Sequence, residues 1–148
     1  MRAVLQRVNS ASVTVDGTVT GKIGKGILVY LGITNDDTEA DVDYITGKIA
    51  NIRIFDDANN VPNLSLTDVG GSCLMVSQFT LYADARKGRR PGYTDAAPAA
   101  VAKPLYEKAV AKLSAIVPVE TGIFQADMKV ASENDGPFTI LLDSRRLF

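Results

Sequence analysis

The chain has 148 residues, 46% of them hydrophobic and 22% charged, with a formal net charge of −1. These proportions fit one compact domain over residues 1–148, able to bury roughly two-thirds of its unfolded surface, and they argue against coating nucleic acid through bulk charge. No apolar run approaches the ~20 residues of a membrane-spanning helix, and the opening MRAVLQRVNS lacks a secretory core, so a cytoplasmic protein with no membrane partner is expected.

Residues 2–8 alternate as a strand does. Residues 11–15 and 18–23 flank Asp16-Gly17, a strong hairpin signal. Residues 26–33, GILVYLGI, are almost continuously apolar, which predicts a strand covered on both faces. The period then changes. Thr38 can cap a helix with Asp41 in its first turn, and Val42, Ile45, Ile49 and Ile52 line one face. A short strand is expected at 52–55, turn material at 56–63 (DDANNVPN), and a second buried strand at 72–79. Residues 84–97 read as a polar loop. A helix follows from about Pro98 to Leu113, with Val101, Leu105, Ala109 and Leu113 on one face. Pro104 must lie in its first turn or kink it. Two strands, near 127–133 and 137–143, are joined by Asn134-Asp135-Gly136. The sum is an α+β fold: two main helices on a mostly antiparallel, sheet- or barrel-like β core.

The chemistry is bounded by absences. There is no histidine and one cysteine, Cys73. This removes the Ser-His-Asp triad, the Cys-His dyad, His-ligated metals, Cys-rich zinc sites and an intrachain disulfide. No acidic spacing resembles a dedicated Mg or Ca loop. No metal or cofactor is therefore expected. Cys73, inside SCLMVSQF, reads as an inert core thiol, with a reactive thiol as the alternative.

Three segments can still carry function. The apolar strand CLMV ends in Ser77-Gln78-Phe79-Thr80, a cluster of hydroxyls and an amide. Thr80 can attack a carbonyl if a base activates it, and Gln78 or backbone N–H groups can stabilise an oxyanion. The same residues can equally satisfy turn hydrogen bonds. Asn134-Asp135-Gly136-Pro137 is turn-forming by composition, and base rates alone predict a trans Gly136-Pro137 bond. The third segment is RKGRR, where Arg86, Lys87, Arg89 and Arg90 gather four of the 16 basic residues in one loop. It is either a solvated charged loop or a phosphate-binding one.

Taken together these segments resemble the D-aminoacyl-tRNA deacylase family, also called D-tyrosyl-tRNA deacylases. The similarity runs nearly end to end: MRAVLQRV, SASVTVDG, IGKG, LSLTDVGG, SQFTLYAD, RKGRRP, TDAAP, PVETG, ADMKV and NDGP. The pairing of SQFTL with a Gly-Pro dipeptide at this separation is its most specific element.

The resemblance implies a cytoplasmic homodimeric hydrolase that frees D-amino acids from aminoacyl-tRNA as translation proofreading. It implies a site near the subunit interface and a cis Gly136-Pro137 bond reaching into the partner's pocket. Ser77, Gln78, Phe79 and Thr80 would line the reacting ester, with the Phe79 or Thr80 N–H as oxyanion donor. Gly136 and Pro137 would be the chiral gate, Phe124 and Met128 pocket walls, and Arg7 the gate's support. An L side chain would clash with the gate, whereas glycine, with no side chain, would pass; some hydrolysis of glycyl-tRNA is expected. The basic loop would hold the acceptor end of the RNA. Two positions depart from the family pattern: Phe138 stands where a smaller aliphatic is usual, and Gly92-Tyr93 where Ser-Phe is usual.

Two other readings stay open. One is a non-catalytic RNA-binding module using the same basic loop, made weaker by 7% aromatic content. The other is a Cys73 ester hydrolase, made weaker by the missing histidine.

Overall fold

The computed structural model describes residues 1–148. Its elements run β1 (Arg2–Val15), β2 (Thr18–Ile23), β3 (Gly26–Gly32), α1 (Glu39–Asn51), β4 (Phe55–Asp56), β5 (Pro62–Leu64), β6 (Ser72–Ser77), α2 (Ala99–Ser114), β7 (Val119–Thr121) and β8 (Lys129–Asp143). A 3-10 turn, Phe79–Tyr82, follows β6. The architecture is α+β, with two helices against a mixed sheet.

The strands at 2–8 and 11–15 are one strand. β1 continues through exposed Asn9 and Ser10 because β8 stays paired along one edge there. Residues 2–8 pair with β3 and residues 11–15 with β2, while β8 runs along the opposite edge; all three pairings are antiparallel. The turn between β1 and β2 is the expected hairpin, with Asp16 and Gly17 both at positive φ, 48° and 80°.

β3 lies at the centre, parallel to β6, which is parallel to β7. These parallel pairs exist because helix-containing segments carry the chain back across the sheet between their strands. The order is β2-β1-β3-β6-β7, with β8 on β1. β2 curls toward β6 and β7, so the sheet nearly closes into a barrel.

This curl creates two cores. Leu5, Ile27, Val29, Leu31 and Met75 face α1 and α2, while Val8, Val13, Leu28 and Leu74 face the barrel interior. β3 is thus covered on both faces, which explains its unbroken apolar run.

The Thr38 N–H donates to the Asp41 carboxylate at 2.7 Å and begins α1, whose Val42, Ile45 and Ile49 are buried. The inward face of α2 is rotated from the predicted one but keeps Ala109 and Leu113, with Leu105 half-buried against the core. Ala102, Tyr106, Ala109 and Leu113 are buried, while Val101 is exposed. Apolar spacing overlooked Tyr106, which brings a large ring inward because its hydroxyl donates to the Met75 carbonyl at 2.8 Å. Pro104 lies beyond the first turn, on the exposed side, where water can take the carbonyl left without a partner.

Other boundaries also move. The strand expected at 52–55 shares only Phe55 with β4, which pairs with β5 in a small hairpin around the segment read as turn. β6 stops at Ser77, and the chain tightens into the 3-10 turn. β7, with only three residues, carried no readable period.

The largest revision is at the C-terminus. The two strands with a turn between them are one strand, β8, paired to β1 along both halves. Between Asn134, opposite Val8, and Thr139, opposite Gln6, the register slips, and residues 135–138 bulge outward. A turn-forming composition here makes a bulge and not a reversal, because both halves keep the same partner strand.

Candidate functional site

β6 delivers its polar end to the surface beside β3. The Gln78 N–H extends the ladder by donating to the Leu31 carbonyl at 2.8 Å. The 3-10 turn then closes with Leu81 N–H to Gln78 O at 3.3 Å and Ala83 N–H to Thr80 O at 3.0 Å. The first N–H groups of such a turn have no acceptor within it, so those of Phe79 and Thr80 are left for another partner. Gly32 makes this packing possible. A β-carbon there would lie 2.9 Å from the Leu81 β-carbon and 3.0 Å from the Gln78 carbonyl oxygen.

Next to this strand end is an open cavity of about 670 Å³. Ser77, Gln78 and Phe79 form one side, Phe124 and Met128 another. Leu31, Ala102 and other apolar residues make its back. A few polar groups on an apolar concavity are the usual composition of a small-ligand site. The structure therefore brings together five of the residues singled out in the sequence.

Thr80 does not line this cavity. Its Oγ1 accepts a hydrogen bond from Gln78 Nε2 at 2.6 Å, and an amide donor cannot take its proton. Asp84, the nearest carboxylate in sequence, is engaged elsewhere. The Arg86 guanidinium, at 2.8 Å from each of its oxygens, holds the Asp84 carboxyl well below the usual range, with the Arg86 backbone N–H adding to the effect. It is a weak base, turned toward Arg86.

Arg7, Gly136 and Pro137 lie apart from the cavity. The Gly136-Pro137 bond is cis, against the base rate, and both residues are exposed on the β8 bulge. Gly136 has φ 140°, and a β-carbon on it would sit 2.8 Å from the Phe138 nitrogen. Arg7 is buried beneath. It donates from Nη1 to the Ile54 carbonyl at 2.6 Å and from Nε to the Asp135 carbonyl at 3.2 Å, with the Asp135 carboxylate at 3.1 Å. The ring of Phe138, one of the departures from the family pattern, packs 4.8 Å below the Arg7 guanidinium.

One residue of this region was read only as turn material. The Asn134 side chain accepts the Phe138 N–H at 2.8 Å and donates to the carbonyls of Phe138, at 3.1 Å, and Arg7, at 3.3 Å. It spans the base of the bulge. No sequence signal separates this Asn from an ordinary turn residue, because the register slip it spans is invisible in sequence.

The basic segment is the tip of an exposed loop whose neck is closed by Asp84 and Gly92, each N–H donating to the other's carbonyl at 2.8 Å. Arg86, Lys87, Arg89 and Arg90 are all exposed there.

Residues 4–143 match the family model described as D-Tyr-tRNA(Tyr) deacylase. The chain belongs to this family. Curated D-aminoacyl-tRNA deacylases are similar over their full length: that of Kosmotoga olearia is 56% identical over 148 residues, covering 100% of both chains. That of Clostridioides difficile (strain 630) is 57% identical over 149 residues, again covering 100% of both. Among solved structures, the c-Myc DNA Unwinding Element Binding Protein superposes with a TM-score of 0.92 at 39% identity, covering 97% of this chain and 98% of that one. A probable eukaryotic D-amino acid tRNA deacylase superposes with a TM-score of 0.84 at 20% identity, covering 95% and 97%. This last likeness concerns the fold of the deacylase family alone.

Proposed function

We propose that this chain hydrolyses the ester joining a D-amino acid to the terminal ribose of transfer RNA, releasing both, and acts as a cytoplasmic homodimer. The observation that carries this reading is the apolar cavity beside the Ser77–Thr80 strand end, in a chain similar to D-aminoacyl-tRNA deacylases throughout its length.

Water attacks the ester carbon, the carbonyl oxygen becomes an oxyanion, and collapse expels the ribose oxygen, which takes a proton. The unpaired N–H groups of Phe79 and Thr80 are the donors for the oxyanion. Each such donor is worth about 3 kcal/mol, and positioning adds to it. Thr80 as nucleophile is disfavoured: its hydroxyl faces an amide donor, and Asp84 is held by Arg86. The vicinal ribose 2′-hydroxyl is left to assist the attacking water. A substrate with a 2′-deoxy terminal adenosine is expected to turn over at least a hundredfold slower, on the order of a lost general-base contribution, while Thr80→Ala retains most activity. Normal turnover of the deoxy substrate with an inactive Thr80→Ala selects the nucleophile route.

Gly136 and Pro137 act as the chiral gate in the partner's cavity. Their exposure on a bulge, anchored from beneath by Arg7, supports this role. An L side chain projects into the dipeptide and a D side chain does not, so rejection works by clash. Glycine escapes the clash, and glycyl-tRNA is a secondary substrate. Lys87, Arg89 and Arg90 hold the acceptor end through phosphates.

A second reading, nucleic-acid binding without cleavage, draws on the similarity to a protein named for binding a DNA unwinding element. Release of amino acid from D-tyrosyl-tRNA, with L-tyrosyl-tRNA as control, separates the two. Loss of D alone supports enzyme and gate, equal loss removes the gate, and loss of neither leaves the binder.

A further inference from the structure

We propose that Tyr93, braced by Phe79, is a stacking platform for the base next to the terminal adenosine of the bound RNA. This rests on the deacylase reading and deepens it. Phe79 and Tyr93 line the cavity yet keep much of their surface in solvent, which enclosing an amino acid does not account for.

Phe79 and Tyr93 are 57% and 43% exposed, and their rings touch edge-on with centroids 5.1 Å apart at 65°. In that geometry the edge of one ring supports the other and leaves a π-face free. Tyr93 is fixed by the backbone on both sides. Just before it, the Asp84–Gly92 pair closes the loop's neck. Just after it, Asn35 Nδ2 donates to the Thr94 carbonyl at 3.3 Å, and Thr34 Oγ1 to the Asp95 carbonyl at 2.6 Å. A ring anchored this way loses little further entropy when a base covers it.

The charge nearby is selective. Arg86 is committed to Asp84, whereas Lys87, Arg89 and Arg90 take part in no ion pair. Free cations beyond an aromatic lip are the arrangement that binds unpaired nucleic acid, bases on rings and phosphates on charges. The order of contacts follows from the ester. Its carbon must reach the N–H groups of Phe79 and Thr80, so the terminal nucleoside occupies the cavity. Phe79 and Tyr93 line the cavity and are partly exposed, so the next nucleotide leaves across them, and the chain then runs toward the three free cations. Stacking of this kind tolerates any base.

The test uses the full-length protein and two uncharged RNA hairpins with an unpaired 3′ end. One is intact; the other is abasic at the nucleotide next to the terminal adenosine. Wild type is expected to bind the abasic hairpin about tenfold more weakly. Tyr93→Ala should bind the intact hairpin about tenfold more weakly than wild type and no longer distinguish the two. Tyr93→Phe should behave as wild type, since the ring and not the hydroxyl is at work. A wild type blind to the abasic site, or a Tyr93→Ala that still prefers the base, overturns the proposal. Release of D-amino acid by wild type is measured in parallel. Its absence with the coupling intact refutes the hydrolase and leaves the platform standing.

Discussion

At the scale of single residues, surroundings decide which chemistry a side chain keeps. The Cys73 side chain is fully buried in β6, and burial pushes its thiol up, so no thiolate is available near neutral pH. Thiol-alkylating reagents should leave native protein unlabelled and fully active, with labelling only after denaturation; loss of activity upon native labelling would restore the thiol reading. Arg7 is buried too, but hydrogen-bonded to two carbonyls. Arg7→Ala leaves the buried Ile54 carbonyl without its donor, which should cost about 2 kcal/mol in denaturant unfolding. Little is added for the carboxylates of Asp56 and Asp135, which are 45% and 42% exposed and already screened. The same variant should lose discrimination between D- and L-aminoacyl-tRNA, because the bulge above it loses its anchor.

At the scale of elements, α2 and β8 show how tertiary partners override local patterns. Tyr106 fixes the rotation of α2 through its bond to Met75. Tyr106→Phe should lower stability by about 1 kcal/mol without altering substrate preference. Pro104→Ala restores a helix hydrogen bond on the exposed face, against the stiffness proline gives the unfolded chain, and should stabilise by about 1 kcal/mol. In β8 the base of the bulge is spanned by Asn134. Asn134→Ala removes three hydrogen bonds at its base, so release from L-aminoacyl-tRNA should rise relative to D while the fold persists by circular dichroism. Unchanged chirality in that variant would separate the clamp from the gate.

For the whole molecule, charge and its placement set the response to solution conditions. With three free cations on the loop and a net charge of −1, RNA affinity should fall with salt at a logarithmic slope of only about −2, from ~0.7 per single-strand phosphate. A steeper slope unaffected by Arg89→Ala or Arg90→Ala would place the RNA elsewhere. The acid response follows from carboxylates held low in the fold: Asp57 by the backbone N–H groups of Asn59 and Val61, Asp68 by the backbone and hydroxyl of Ser65, Asp84 by Arg86. A folded-state pKa below the unfolded one stabilises above the unfolded value and is lost as pH falls through the folded one. Urea midpoints should therefore decline below about pH 4, with no histidine step near pH 6.5.

Much was legible in the chain itself. The Asp16-Gly17 hairpin and the capped α1 are set by interactions a few residues long, and the unbroken apolar run of β3 and the polar end of β6 record burial and exposure directly. The absence of histidine settled which catalytic machinery was unavailable before any fold was known. What tertiary structure decided involves partners far apart in sequence. β1 continues through Asn9 and Ser10 because β8 lies beside it, over 120 residues away. α2 turns Tyr106 inward for a carbonyl in β6. Asn134 to Pro137 form a bulge because β1 pairs with the strand on both sides of it. Gly32 and Asn134 gained their structural importance in the same way. Local composition specifies what a segment can do alone, while the register of a paired strand and the neighbour of a side chain are properties of the closed fold.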